Sequence, residues 1–135
     1  MSKSLIQVVN NSNQSVLANG IIIPGTVVRR FGPNCTLDGS SVLLSGSGYY
    51  AVDAVFVLSA STAGVVQVAL SEIGGGVLPG ATASATISNE GDVVTLTIPT
   101  TVRIKDCSGT KNIIATLVSG TGVTVSNYAL RVVKE

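Results

Sequence analysis

Tyr50-Ala51-Val52-Asp53-Ala54-Val55-Phe56-Val57-Leu58 decides the fold. Every even position in it is apolar (Tyr50, Val52, Ala54, Phe56, Leu58), while the odd positions admit Asp53. Successive side chains of a strand point to opposite faces, so this parity predicts a strand with one face in a core. The same period of two recurs in Val66, Val68 and Leu70 with Gln67 opposite, and in Val94, Leu96 and Ile98 with Thr95 and Thr97 opposite.

No window places apolar residues at i, i+3, i+4 and i+7 over three helical turns, and Val, Ile and Thr, which pack well on a pleated surface, dominate the apolar segments. Turn clusters separate those segments at Ser45–Gly48, Ser59–Gly64, Glu72–Gly76, Ser88–Asp92, Asp106–Thr110 and Ser119–Gly122. The reading predicts strands at 5–9, 16–23, 26–31, 41–45, 49–59, 64–71, 77–87, 93–99, 101–105, 112–118 and 123–133. Short strands with turns between them, and no segment free to serve as a crossover helix, predict an all-β antiparallel sandwich with a jelly roll as the leading candidate.

At 135 residues the chain fits one domain, whose folding would bury roughly 13,000 Å² of chain surface. The polar stretch Asn10–Ser15 suggests a boundary: residues 1–15 as an arm leaving the sandwich and suited to attachment, 16–135 as the sandwich itself. A signal peptide would need a continuous apolar segment near the start, so assembly in a cytoplasm is expected.

Charged residues make up 11% of the chain, against about 25% in an average domain. The hydrophobic fraction is 45% and the mean hydropathy +0.54. No apolar run approaches the ~18 residues of a membrane helix, and five aromatics without Trp do not furnish the girdles of a membrane barrel, so no membrane insertion is expected. The remaining explanation for so few charges is that sister copies cover the uncharged faces. Net charge is +1, and the eight basic residues are scattered along the chain except for Arg29-Arg30, so no nucleic-acid partner is expected.

Catalysis finds little to work with. Ser-His-Asp and Cys-His sets both need an imidazole to move the proton, and the chain has no histidine. The carboxylates Asp38, Glu72, Glu90, Asp92 and Asp106 fall in turns, where solvation accounts for them. Asp53 is the exception, mid-strand among apolar neighbours, and reads either as an outward-facing residue or as half of a salt bridge across a subunit interface. Gly46-Ser47-Gly48-Tyr49-Tyr50-Ala51 matches a loose dinucleotide pattern but leads into a strand instead of a helix, and Ser88–Asp92 reads as a hairpin, not a calcium loop. No catalytic residue, cofactor or metal ligand is assigned. Cys35 and Cys107 allow one disulfide if their loops share an end of the sandwich; free thiols are the expectation in a reducing compartment.

Gly48-Tyr49-Tyr50-Ala51-Val52-Asp53-Ala54-Val55-Phe56, then Gly64-Val65-Val66-Gln67-Val68-Ala69-Leu70 and Leu78-Pro79-Gly80-Ala81, resemble the tumour-necrosis-factor-like and complement-head-like jelly rolls, domains similar to which occur in bacteriophage head-fibre proteins. The likeness extends more weakly from Val42 to the last strand, where Tyr128 and Leu130 suit a core position. The glycine-rich turn Ser71–Gly76 departs from it. The resemblance implies a homotrimer in which three sandwiches pack along an axis. It further implies a virion structural protein, a trimeric head-fibre or capsid-decoration subunit on the capsid surface, bound to a shell protein. The alternative is a module gripping a host-surface glycan or receptor with the loops at one end, Glu72–Gly76 and Asp106–Lys111.

Overall fold

The computed structural model describes residues 3–106 and 109–134. Twelve strands run in chain order: β1 Ser4–Asn10, β2 Gln14–Val16, β3 Ile21–Ile22, β4 Thr26–Phe31, β5 Cys35–Asp38, β6 Ser41–Ser45, β7 Gly48–Ala60, β8 Gly64–Glu72, β9 Gly76–Ile87, β10 Val93–Ile104, β11 Thr110–Ser119 and β12 Val123–Lys134. All pairings are antiparallel. One sheet has the order β10-β7-β12-β1-β4 with β2 also on β12; the other has β5-β6-β11-β8-β9 with β3 also on β11. We call them sheet A and sheet B. They form the expected jelly-roll sandwich, with the core between them.

The parity of β7 is realised in full: Tyr50, Val52, Ala54, Phe56 and Leu58 are all completely buried. Phe56 faces Tyr128 of β12 directly across the ladder, and their rings stack with centroids 5.0 Å apart and planes 5° apart. Such a pair adds about 1 kcal/mol beyond its burial. Strand β12 keeps its parity only by changing it. Val123 and Val125 point inward, and so do Tyr128, Leu130 and Val132. A bulge between Val125 and Asn127 absorbs the extra residue, Ser126, whose hydroxyl donates to the Val57 carbonyl at 3.2 Å.

Several boundaries differ from expectation. Residues 1–15 are not an arm over their length: β1 lies between β12 and β4, with Ile6 and Val8 fully buried, so the sandwich begins at Ser4 and not at Val16. Two inward residues within Leu5–Val9, Ile6 and Val8, suffice for a central strand once neighbours pair on both sides. The expected strand 16–23 is two, because the chain turns over Leu17–Gly20, with Asn19 at φ 68°, and passes from sheet A to sheet B. Asparagine tolerates that left-handed conformation better than most residues. The expected strands 93–99 and 101–105 are one: β10 is an edge strand paired only to β7, where Pro99 forfeits no bond on the open side. β5, four residues long, escapes a periodicity reading altogether.

A polar tie closes the sandwich at the end where β1 starts. The buried Ser4 hydroxyl donates to the Asn34 side-chain oxygen at 3.0 Å and accepts the Asn34 backbone N–H at 3.1 Å. The Asn34 amide donates to the Ser45 carbonyl at 2.6 Å, and the Tyr50 hydroxyl lies 2.7 Å from the carbonyls of both Ser45 and Gly46. β1 and β7 of sheet A are thereby bonded to the β5–β6 side of sheet B.

The bulge makes a sharp prediction. Deleting Ser126 removes the extra residue and leaves Tyr128, Leu130 and Val132 facing inward, so it should cost about 1 kcal/mol, whereas inserting one residue after Tyr128 sends Leu130 and Val132 to the outer face and should cost about 4 kcal/mol. Ser126→Ala, which loses one exchanged hydrogen bond, should cost about 1 kcal/mol. Equal denaturation midpoints for the deletion and the insertion would mean that Ser126 is not the extra residue of the ladder.

Candidate assembly face

The registers of sheet A order its outer face into rows. Thr97, Val55, Ala129, Val9 and Thr26 face one another across the five strands. The next row toward the start of β7 is Pro99, Asp53, Arg131, Gln7 and Arg29, and the next is Thr101, Ala51, Val133, Leu5 and Phe31. Thr95, Val57 and Asn127 make a shorter row on the far side. The face is therefore apolar and hydroxyl-bearing, with one charged row crossing it and Arg103 beside Tyr49 at its end.

Asp53 sits where the outward-facing reading puts it. Its partner is Arg131 of the same chain, Nη1 to Oδ2 at 3.5 Å, with the two side chains 48% and 52% exposed. At that exposure an isolated pair contributes little, within about 1 kcal/mol. Above the charged row, the Asn127 amide oxygen is shut off from solvent and has no hydrogen-bond partner among the described residues. An acceptor left in that state costs about 1–3 kcal/mol. Exposed Phe31 and Tyr49 end the face, the Tyr49 ring carrying the Arg103 guanidinium 5.4 Å from its centroid.

Sheet B presents a different outer surface. Strand β9 offers Thr82, Ser84 and Thr86, β8 offers Gln67 and Ser71, and β11 offers Asn112 and Thr116, with Ile21, Leu43, Val65, Val77, Ile114 and Val118 as the apolar members. Hydroxyls, amides and exposed aliphatics alternate there, so both outer faces would gain from being covered; that of sheet A is set apart by its charged row and by the orphaned Asn127 oxygen.

The loops assigned to an adhesive role, Glu72–Gly76 and Asp106–Lys111, do meet at one end: Glu72 bridges Lys111 at 3.5 Å, and the Ile73 N–H donates to the Asn112 carbonyl at 2.9 Å. No cleft opens between the described residues there or elsewhere. Cys35 lies on the inner face of β5, fully buried, and its thiol is pushed up from the ordinary 9.0 to about 11 by that burial, against the opposing pull of Arg30 and Lys134. Cys107, its suggested disulfide partner, lies outside the described residues. The sequence reading missed the polar tie at Ser4 and Asn34 because a serine and an asparagine in polar stretches carry no signal of burial.

No family model matches the chain, and no curated protein does. Solved structures do. Murine APRIL at pH 5.0 superposes with a TM-score of 0.75 at 14% identity, over 99% of this chain and 100% of that one. The Eiger TNF of S. frugiperda does so with 0.75 at 12% identity over 98% and 91%, and the globular domain of the zebrafish Complement 1qA protein with 0.62 at 8% over 96% and 94%. The chain thus has a TNF-like jelly-roll fold, as the resemblance at Gly48–Ala81 implied.

The raised Cys35 thiol predicts an alkaline weakness. The folded state holds this proton more tightly than the unfolded chain does, so with the thiol reduced, stability should fall as pH climbs from 9.0 to about 11. Cys35→Ala should flatten that part of the profile in urea titrations run at successive pH values; an unchanged slope would assign it elsewhere. Burial raises Tyr50 and Tyr128 in the same direction, so a slope should persist at higher pH in the variant.

Proposed function

We propose that this chain is a non-enzymatic structural subunit that assembles as a homotrimer through the outer face of sheet A. The observation that carries the reading is the set of rows on that face, apolar and hydroxyl-bearing on both sides of the row of Asp53, Arg131 and Arg29, and open to solvent in one copy. A sheet face bearing Val9, Val55, Val57, Ala129 and Val133 gains about 25 cal/mol for each Å² of apolar surface removed from water. The number three follows from the resemblance to tumour-necrosis-factor-like domains and agrees with the TNF-like fold.

The setting we propose is a virion: a head-fibre or capsid-decoration subunit of a bacteriophage, borne on the capsid surface against a shell protein and assembled in the bacterial cytoplasm. The low charge, the rigid sandwich and the absence of histidine suit a structural part. A detachable arm over residues 1–15 is no longer part of the reading, since Ser4–Asn10 is built into sheet A.

Native mass spectrometry should give three times the 13.6 kDa chain mass, and Val55→Asp or Ala129→Glu should reduce it to the monomer while leaving the β-sheet circular dichroism unchanged. A monomeric parent protein overturns the assembly. Proteomic analysis of phage particles purified from cells that make the protein should find it in fixed ratio to the shell protein; particles lacking it overturn the virion setting.

A further inference from the structure

The eight basic residues, dispersed in the sequence, are not dispersed in space. Lys3 precedes β1, Arg29 and Arg30 close β4, Arg103 and Lys105 close β10, Lys111 opens β11, and Lys134 ends β12. Antiparallel pairing brings all of these strand ends to one end of the sandwich: Ser4 opposite Lys134, Leu5 opposite Phe31, Lys134 opposite Tyr50, Ile104 opposite Gly48, Thr110 opposite Ser45. Six of the eight basic residues of the chain, Lys3, Arg30, Arg103, Lys105, Lys111 and Lys134, therefore belong to that end, and the other two, Arg29 and Arg131, share the row of Asp53 on the outer face of sheet A. The opposite end, at the β9–β10 hairpin, carries Glu90 and Asp92 and no Lys or Arg among the described residues. A net charge of +1 conceals a molecule polarised from end to end.

We infer that this basic end is a docking face for an acidic protein surface. The inference deepens the assembly reading and rests on it in one respect: copies arrayed side by side around an axis turn their basic ends the same way, so the charge is multiplied on one side of the assembly. Like charges so concentrated repel, and a partner of opposite sign offsets the repulsion and steers the approach.

The chemistry of the end favours protein over phosphate. Glu72, bridged to Lys111, and Asp106 stand among the cations, and a carboxylate at close quarters opposes a phosphodiester backbone, whereas protein surfaces mix the two signs. The apolar members are Phe31 and Tyr49, 55% and 51% exposed, with Arg103 stacked over Tyr49. Aromatic side chains and arginine are the residues enriched where proteins meet.

The test uses the full-length protein and three probes of equal nominal charge: poly-L-glutamate, single-stranded DNA, and phosphatidylglycerol vesicles. Poly-L-glutamate should bind at low salt, lose affinity steeply as salt rises, and bind Lys3→Glu/Lys105→Glu at least about tenfold more weakly. DNA or vesicles bound more tightly than poly-L-glutamate, no binding to any probe, or equal binding by the variant would each overturn the inference. The oligomeric mass of the same samples separates the two readings. A monomer that binds poly-L-glutamate defeats the assembly and keeps the basic end; a trimer that does not bind keeps the assembly and defeats the docking face.

Discussion

The ladder between β7 and β12 constrains everything else in this molecule. It runs from Tyr50 opposite Lys134 to Ala60 opposite Val123, at the middle of sheet A, and its one irregularity at Ser126 decides which side chains of β12 reach the core. Because side chains alternate, the register that stacks Phe56 on Tyr128 inside is the same register that sets Asp53 beside Arg131 outside. The core and the outer face of sheet A are two sides of one choice. A slip of one residue would bury a carboxylate and expose a tyrosine together, and neither penalty could be relieved without the other.

That choice was legible in the sequence wherever a strand alternates for long enough to average out accident. Tyr50–Leu58 does so over nine residues, and Val66–Leu70 and Val94–Ile98 repeat it, so the all-β class and the sandwich follow from period alone. Where elements are short or parity breaks, the pattern fails for identifiable reasons. Leu5–Val9 carries a correct strand beside a polar stretch that reads as an arm, and its central place is set by pairing to β12 and β4, which no local window contains. Pro99 reads as a strand end, yet an edge strand has no bond to lose on its open side. The outer face could be anticipated only as a shortage of charge; which residues share a row depends on registers between strands as distant as β1 and β12.

Charge illustrates the same gap between chain and fold. In an antiparallel sandwich, residues close to strand termini at very different sequence positions gather at two ends, so a scatter along the chain says nothing about a scatter in space. Ser4 and Lys134 are 130 positions apart in number and partners in the β1–β12 pairing, which sets Lys3 beside that end. The turns at the other end draw on Ser, Asn, Gly and carboxylates, residues that make tight hairpins, as where Asp92 accepts the Asn89 N–H at 3.1 Å. Polarity of this kind arises from where each turn's chemistry is spent, and it survives any averaging that reports only a net charge near zero.

The charged row on the outer face of sheet A then acquires a meaning that its small energy would not suggest. Two nearly featureless apolar rows can slide past a partner at little cost, because dispersion and burial are indifferent to which methyl meets which. A half-exposed Asp53–Arg131 pair flanked by Gln7 and Arg29 is not indifferent: covered in a register that leaves a charge unpaired it costs several kcal/mol, and covered in one that satisfies it the cost is small. In the proposed assembly the row would contribute little to holding copies together and much to excluding wrong arrangements of them. A face built this way trades affinity for definition, which is what an assembly of fixed geometry requires of its subunits.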